Sequence, residues 1–119
     1  MKVEALGKHL IVELYDCDQK LLSDVHFIQE TMLAAAKAAD TTVIDTVFHA
    51  FKPFGVSGVV VIAESHLAIH TWPEHKFASV DFFTCGDKSN PWKAFELMRK
   101  KLKSKHFSVM KMKRGLLIK

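Results

Sequence analysis

Between Phe77 and Cys85 the chain alternates without interruption. Ala78, Val80, Phe82 and Thr84 fall on one side; Phe77, Ser79, Asp81, Phe83 and Cys85 fall on the other. A period of two is a strand's period, and it commits this segment to a sheet with unlike faces. The first face suits a core covered by helices. The second mixes rings with a carboxylate, a hydroxyl and a thiol, which suits a site or a subunit interface better than open water.

Other segments fall in around that strand. Leu10, Val12 and Leu14 alternate within Leu6 to Tyr15, a strand that Asp16-Cys17-Asp18 closes. Val25, Ile28, Met32, Ala35, Ala36 and Ala39 recur at helical spacing, which predicts a helix from about Leu22 to Ala39 whose alanine-rich half can pack closely. Thr41 to Phe51 is β-branched and aromatic, and Lys52-Pro53-Phe54-Gly55 is a turn. Val56 to Ala63 follows as a strand whose run Val59-Val60-Val61-Ile62 predicts burial on both faces. Leu67 to Trp72 predicts another short strand, ended by Pro73-Glu74-His75-Lys76. Asn90 and Pro91 form a helix start, with Trp92, Phe95, Met98 and Leu102 as its apolar stripe. Phe107 to Met112 closes the chain as a strand. The order β-α-β-β-β-β-α-β predicts an α+β, two-layer sandwich, an antiparallel sheet with two helices on one face; the mixed face of Phe77 to Cys85 makes the other face the expected dimer contact.

At 119 residues, 49% apolar and 25% charged, the chain has the size and composition of a single domain, 1–119. No apolar run is long enough for a bilayer, and Met1-Lys2-Val3-Glu4 opens no signal peptide. Cys17 and Cys85 form no CxxC pair, so a reducing, cytoplasmic location is expected. The net charge of +4 is concentrated late: no acidic residue follows Glu96, while Arg99, Lys100, Lys101, Lys103, Lys105, Lys111, Lys113 and Arg114 crowd the end. Without interleaved aromatics this cluster reads as a solvated helix end and not a nucleic-acid surface.

The polar residues gather in one stretch. Glu64-Ser65-His66, His70-Thr71-Trp72-Pro73-Glu74 and Phe83-Thr84-Cys85-Gly86 interrupt apolar sequence with groups that cost about 1–3 kcal/mol each if buried without partners. Together with Phe48-His49-Ala50-Phe51, Gly55-Val56-Ser57-Gly58-Val59-Val60 and Pro91-Trp92-Lys93-Ala94-Phe95, these stretches resemble the short prokaryotic S-adenosylmethionine decarboxylases. The resemblance covers nearly the whole chain and is weakest in the last dozen residues.

That resemblance implies a cofactor made from the chain itself, by cleavage between 64 and 65. Ser65 would attack the Glu64 carbonyl to give an ester, lose its α-proton, expel the Glu64 carboxylate and, after hydrolysis, end as an N-terminal pyruvoyl group. Its ketone would take the substrate amine as a Schiff base and accept the electrons freed as CO2 leaves. His70 would be the base in processing, the Ser57 hydroxyl a hydrogen-bonding partner during processing, and Cys85 the proton donor to Cα, also assisting processing. Glu74 would accept from the ribose hydroxyls, and Phe51 would stack on adenine near the sulfonium. No metal is implied. Taken singly, these residues have plainer readings: Ser65 a strand-end serine, Cys85 a small buried hydrophobe, Phe51 a core ring, and His9, His26, His49, His75 and His106 structural histidines, with Cys17 structural too. His66 falls to neither side.

The implied reaction is decarboxylation of S-adenosylmethionine to an aminopropyl donor for spermidine and polyamine synthesis. The same machinery acting on arginine or ornithine is the nearer alternative. A zinc hydrolase built on His66, His70, His75 and Cys85 would need a helix to bring His66 and His70 together, and the β-branched, proline-bounded context opposes one. Spacing adds a further expectation. If Ser57 and Ser65 share one extended strand they lie roughly 26 Å apart, with His70 about 16 Å beyond Ser65 on the opposite face. A homodimer of processed protomers would then share its sites: Ser65 and Cys85 from one chain, and Ser57, His70, Glu74 and Phe51 from the other.

Overall fold

A computed structural model describes residues 3–118 as one six-stranded antiparallel sheet covered on a single face by helices. The elements are β1 (Val3–Tyr15), α1 (Gln19–Leu22), α2 (Val25–Ala38), β2 (Val43–Ala50), β3 (Val56–Ile62), β4 (Ser65–Trp72), a 3-10 turn at Pro73–His75, β5 (Phe77–Cys85), α3 (Pro91–Lys101) and β6 (His106–Ile118). Across the sheet the order is β2-β3-β4-β5-β1-β6. The long β1 therefore lies between β5 and β6, joining the chain's ends to its middle.

Alternation along the strands decides which residues are buried. Leu10, Val12, Leu14, Val60, Leu67, Ile69, Ala78, Val80 and Phe82 point under the helices and are essentially inaccessible. Ile28, Met32, Ala35 and Ala36 of α2, with Ala94, Phe95 and Met98 of α3, close the layer. Small residues on α2 let it approach the sheet, as the sequence predicts. Asn90 caps α3 by accepting from the Trp92 amide at 3.1 Å, ahead of Pro91 in the first turn.

Several local expectations are corrected. The helix expected from Leu22 is two helices, because Asp18 caps α1 and Asp24 caps α2, each aspartate accepting from amides of its own first turn. Trp92 is exposed, and the buried residues of α3 are Pro91, Ala94, Phe95 and Met98. The valine run is buried on one face only: Val60 is inaccessible whereas Val61 is 40% exposed. The late cations are not a single helix end, since Lys111, Lys113 and Arg114 belong to β6, which continues past Met112 to Ile118. Most consequentially, Ser57 and Ser65 do not share a strand. Ile62 pairs with Ser65 across a two-residue turn, Ala63-Glu64, and β4 returns antiparallel beside β3.

The face away from the helices is uncovered. Val47, Val61, Met110 and Met112 lie on it at 40–64% exposure, around a polar centre of His9, His66, Asp81 and Phe83. Phe48, on the covered face, lies over its cross-strand partner Gly58, where a Cβ would meet the ring at 2.1 Å; only a glycine admits it.

Candidate active site

The hairpin register sorts the candidate residues into two groups. β4 starts at Ser65 and β5, antiparallel to it, ends at Cys85, so both stand at one end of the sheet. Glu64, Ser65 and Cys85 line a hollow of about 330 Å³ there, with Leu6, Gly7, Phe83, Arg114 and Gly115. Ser57 opens β3 and His70 stands near the end of β4, as direct cross-strand partners at the opposite end. Ser57 Oγ and His70 Nδ1 are 2.8 Å apart. Phe51 and Glu74 flank the same pair in a second hollow of about 370 Å³, with Phe54, Gly55, Thr71 and Trp72. Five residues of β4 separate Ser65 from His70, roughly 17 Å. One chain thus brings together three of the candidates at one end and four at the other, and does not bring the two groups together.

Ser65 carries backbone strain. Neither Ala63 nor Glu64 of the turn has a positive φ, and Ser65, immediately after, has φ +139°. Tight hairpins usually give such a position to glycine; a side chain held there costs on the order of 1–3 kcal/mol. The strained residue therefore follows directly on the Glu64 carbonyl. At the other end, Thr71 Oγ1 fixes the backbone: it donates to Leu22 O at 2.8 Å and accepts from Val56 N at 2.9 Å. That bond ties α1 to the strand position just before Ser57.

A charged row connects the Cys85 end to the middle of the open face. Arg114 donates from Nη1 to His9 Nδ1 at 2.9 Å, and its guanidinium lies 4.9 Å from the centre of the Phe83 ring. An arginine can only donate, so His9 carries its proton on Nε2, which faces Asp81 Oδ1 at 3.4 Å. The structural role expected for His9 takes this form. His66 stands edge-on to Phe83, and its pKa is lowered, first by burial and then by neighbouring His9, with Arg114 adding and Asp81 opposing. Gly7 lies between Cys85 and Arg114 in register, and its missing side chain leaves room for the Phe83 ring, whose edge a Cβ would meet at 2.6 Å.

Arg114, Phe83 and Gly7 are therefore site-lining residues that sequence reasoning passed over. Phe83 stood inside a quoted motif, and the one available signal for Arg114 was an arginine before glycine in a mostly lysine-rich end. His66 and His70 lie four residues apart on a strand, roughly 14 Å, so they cannot converge on one zinc ion. Among the described residues no group of three or more His, Cys, Asp or Glu is placed to hold a metal. Another hollow, of about 650 Å³, is lined by Asp16, Cys17, Asp18, Lys76 and Lys103 among others. Its thiol, Cys17, is buried and pushed up to about 11, mainly by desolvation, so it makes a poor nucleophile.

Residues 8–115 match the family described as S-adenosylmethionine decarboxylase. The chain belongs to the S-adenosylmethionine decarboxylase family. It is 50% identical over 113 residues to the S-adenosylmethionine decarboxylase proenzyme of Thermotoga maritima, covering 95% of this chain and 87% of that one. With the proenzyme of Pelotomaculum thermopropionicum it shares 51% identity over 112 residues, 94% of this chain and 89% of the other. The crystal structure of the adenosylmethionine decarboxylase of Aquifex aeolicus superimposes with a TM-score of 0.91 at 37% identity, covering 98% of this chain and 95% of that one. The Trypanosoma brucei AdoMetDC-delta26 monomer shares the fold alone, at 18% identity and a TM-score of 0.64, over 86% of this chain and 44% of that one. The α+β architecture expected from sequence is thus the family's. The proenzyme names of the relatives fit a chain that processes itself, and they do not favour the arginine or ornithine alternative.

Proposed function

We propose that this chain is a self-processing S-adenosylmethionine decarboxylase whose two half-sites come from two protomers. The observation that carries the reading is the sorting of candidates to opposite ends of a sheet with one face left uncovered. A second sheet laid over that face about a two-fold axis, roughly 10 Å away, sets the Ser65 end of one chain over the His70 end of the other. The exposed Val47, Val61, Met110 and Met112 supply the apolar surface for such a contact.

Processing follows from the residues at each end. Ser65 Oγ adds to the Glu64 carbonyl, the peptide C–N bond breaks, and the hydroxyl proton ends on the Ser65 nitrogen, leaving an ester. With Nδ1 protonated and donating to Ser57 Oγ, 2.8 Å away, His70 would keep its Nε2 lone pair free to take the Ser65 α-proton. The Cβ–Oγ bond then breaks, Glu64 leaves as a carboxylate, and water hydrolyses the enamine–imine left at residue 65, releasing ammonia and leaving a ketone. The residues fit a pyruvoyl group made here, because Ser65 stands strained after a carbonyl in a tight turn and shares its hollow with Cys85. When formed, that group supplies the electron sink for decarboxylation that no unmodified side chain offers. Cys85 returns a proton to the substrate Cα, Glu74 accepts from the ribose hydroxyls, and Phe51, half exposed, offers its ring to adenine and the sulfonium. The whole chain works as one domain in the cytoplasm, and its product feeds spermidine synthesis.

The experiment is a time course by intact mass under denaturing conditions. Wild type resolves into residues 1–64 and a fragment beginning at 65 whose ketone is reduced by borohydride, and Ser65→Ala stays whole. CO2 release is then measured from S-adenosylmethionine, arginine and ornithine, with release expected from the first. A wild-type chain that never cuts overturns the reading.

A further inference from the structure

The side chain of Glu64, a residue that lines the hollow beside Ser65, has its hydrogen-bond partner across the turn. It reaches back over the turn, and its Oε1 accepts from the Thr42 N–H at 3.0 Å. Alongside it, Ala63 donates its N–H to Thr42 O at 2.8 Å. Both backbone polar groups of Thr42 therefore bind the two-residue turn that carries the bond to be cut. Thr42 is itself anchored through its neighbour: the Thr41 hydroxyl and N–H both donate to Ala36 O near the end of α2, at 2.7 and 3.1 Å. The scissile turn is thereby fixed to a helix in the core and does not swing as a free hairpin tip.

The turn has little chemistry of its own to hold this shape. Tight two-residue hairpins rely on Asn-Gly, Asp-Gly or a leading glycine, and Ala63-Glu64 offers none of these. Its positive φ falls on Ser65. A conformation that costs energy persists only where the surroundings over-determine it. On the first side those surroundings are the pairing of Ser65 with Ile62; on the second, the Glu64 side chain on Thr42.

We infer that Glu64 is a positioning residue for its own cleavage: its side-chain oxygen, bound to the Thr42 N–H, holds the Glu64 carbonyl where Ser65 Oγ can add to it. The inference rests on the self-processing reading above. It assigns the residue before the cut a purpose served by its acceptor oxygen and its length, not by its charge. The clamp acts on the first step, in which the ester forms and the peptide C–N bond breaks. Elimination afterwards depends on the base and not on the turn.

The test follows cleavage of Glu64→Gln, Glu64→Asp and Glu64→Ala precursors by intact mass, with hydroxylamine added to count ester. Gln keeps an acceptor at the same reach and cleaves within about threefold of wild type. Asp keeps the charge but falls short by a methylene, and Ala keeps neither; both slow on the order of tenfold or more, with less ester present at any time. Melting of each variant in a Ser65→Ala background shows that the fold stands; should Glu64→Ala fail to fold, the Gln and Asp pair decides alone. Asp or Ala cleaving at the wild-type rate overturns the clamp, as does Gln slowing as much as Asp. Failure of wild type itself to cut counts against the processing reading and is distinguishable from either.

Discussion

Thr71 offers a direct test of what holds the Ser57–His70 end in place. Its hydroxyl is 7% exposed as part of the residue and serves two buried backbone groups, the Leu22 carbonyl and the Val56 amide. Thr71→Val keeps the shape and removes both bonds. Each orphaned group costs about 1–3 kcal/mol, and partial relaxation puts the total near 2–4 kcal/mol. For a domain of this size 1 kcal/mol moves the melting temperature by roughly 3–6 °C, so the drop is about 6–24 °C. The measurement is thermal or urea unfolding of Thr71→Val and Thr71→Ser in the uncut Ser65→Ala background, at one fixed chain concentration. Ser restores the hydroxyl and recovers most of the loss. Thr71→Val within about 0.5 kcal/mol of its parent would refute the claim that this side chain ties α1 to the strand before Ser57.

Two further outcomes concern titrating groups. Native protein treated with iodoacetamide near pH 8 takes up one equivalent, on Cys85, because Cys17 is buried with its thiol pushed up to about 11; a second equivalent enters only on unfolding, and peptide mapping checks both. The pKa of His66 is lowered by folding, so the unfolded chain binds more protons below the ordinary histidine value. The stability owed to a neutral His66 is full above about pH 6.5 and is lost as pH falls through the lower folded value. His66→Gln flattens that part of the stability–pH curve, read from urea midpoints across pH 5–8.

Strand identity was legible wherever one face meets the helices, because alternation at Leu10, Val12 and Leu14, or at Ala78, Val80 and Phe82, records burial directly. Where both faces carry apolar residues the record is ambiguous. Val61 reads as core by composition, yet lies on the uncovered face at 40% exposure. The turn at Ala63-Glu64 was invisible for a related reason: it lacks glycine, and its conformation is imposed by Thr42, more than twenty residues earlier. Sequence periodicity cannot report a bond of that kind. The conclusion that Ser57 and Ser65 lie far apart survives, although the reason changes from one long strand to opposite ends of a hairpin. Arg114 was hidden among lysines, since only its placement over Phe83 distinguishes it from a solvated cation.

The claim that each site is built from two chains is tested most directly by mixing two defective precursors. Ser65→Ala loses the nucleophile and keeps the His70 end intact; His70→Ala loses the base and keeps Ser65 and Cys85. Each is expected to stay uncut alone. Co-expressed with different tags and isolated as the doubly tagged heterodimer, they pair the intact Ser65 end of one chain with the intact His70 end of the other. That complex should cut only its His70→Ala chain, form one ketone per dimer and decarboxylate at up to about half the wild-type rate, one site of the two being intact. Verified heterodimers in which both chains stay whole would contradict the shared site, as would cutting of the His70→Ala chain on its own.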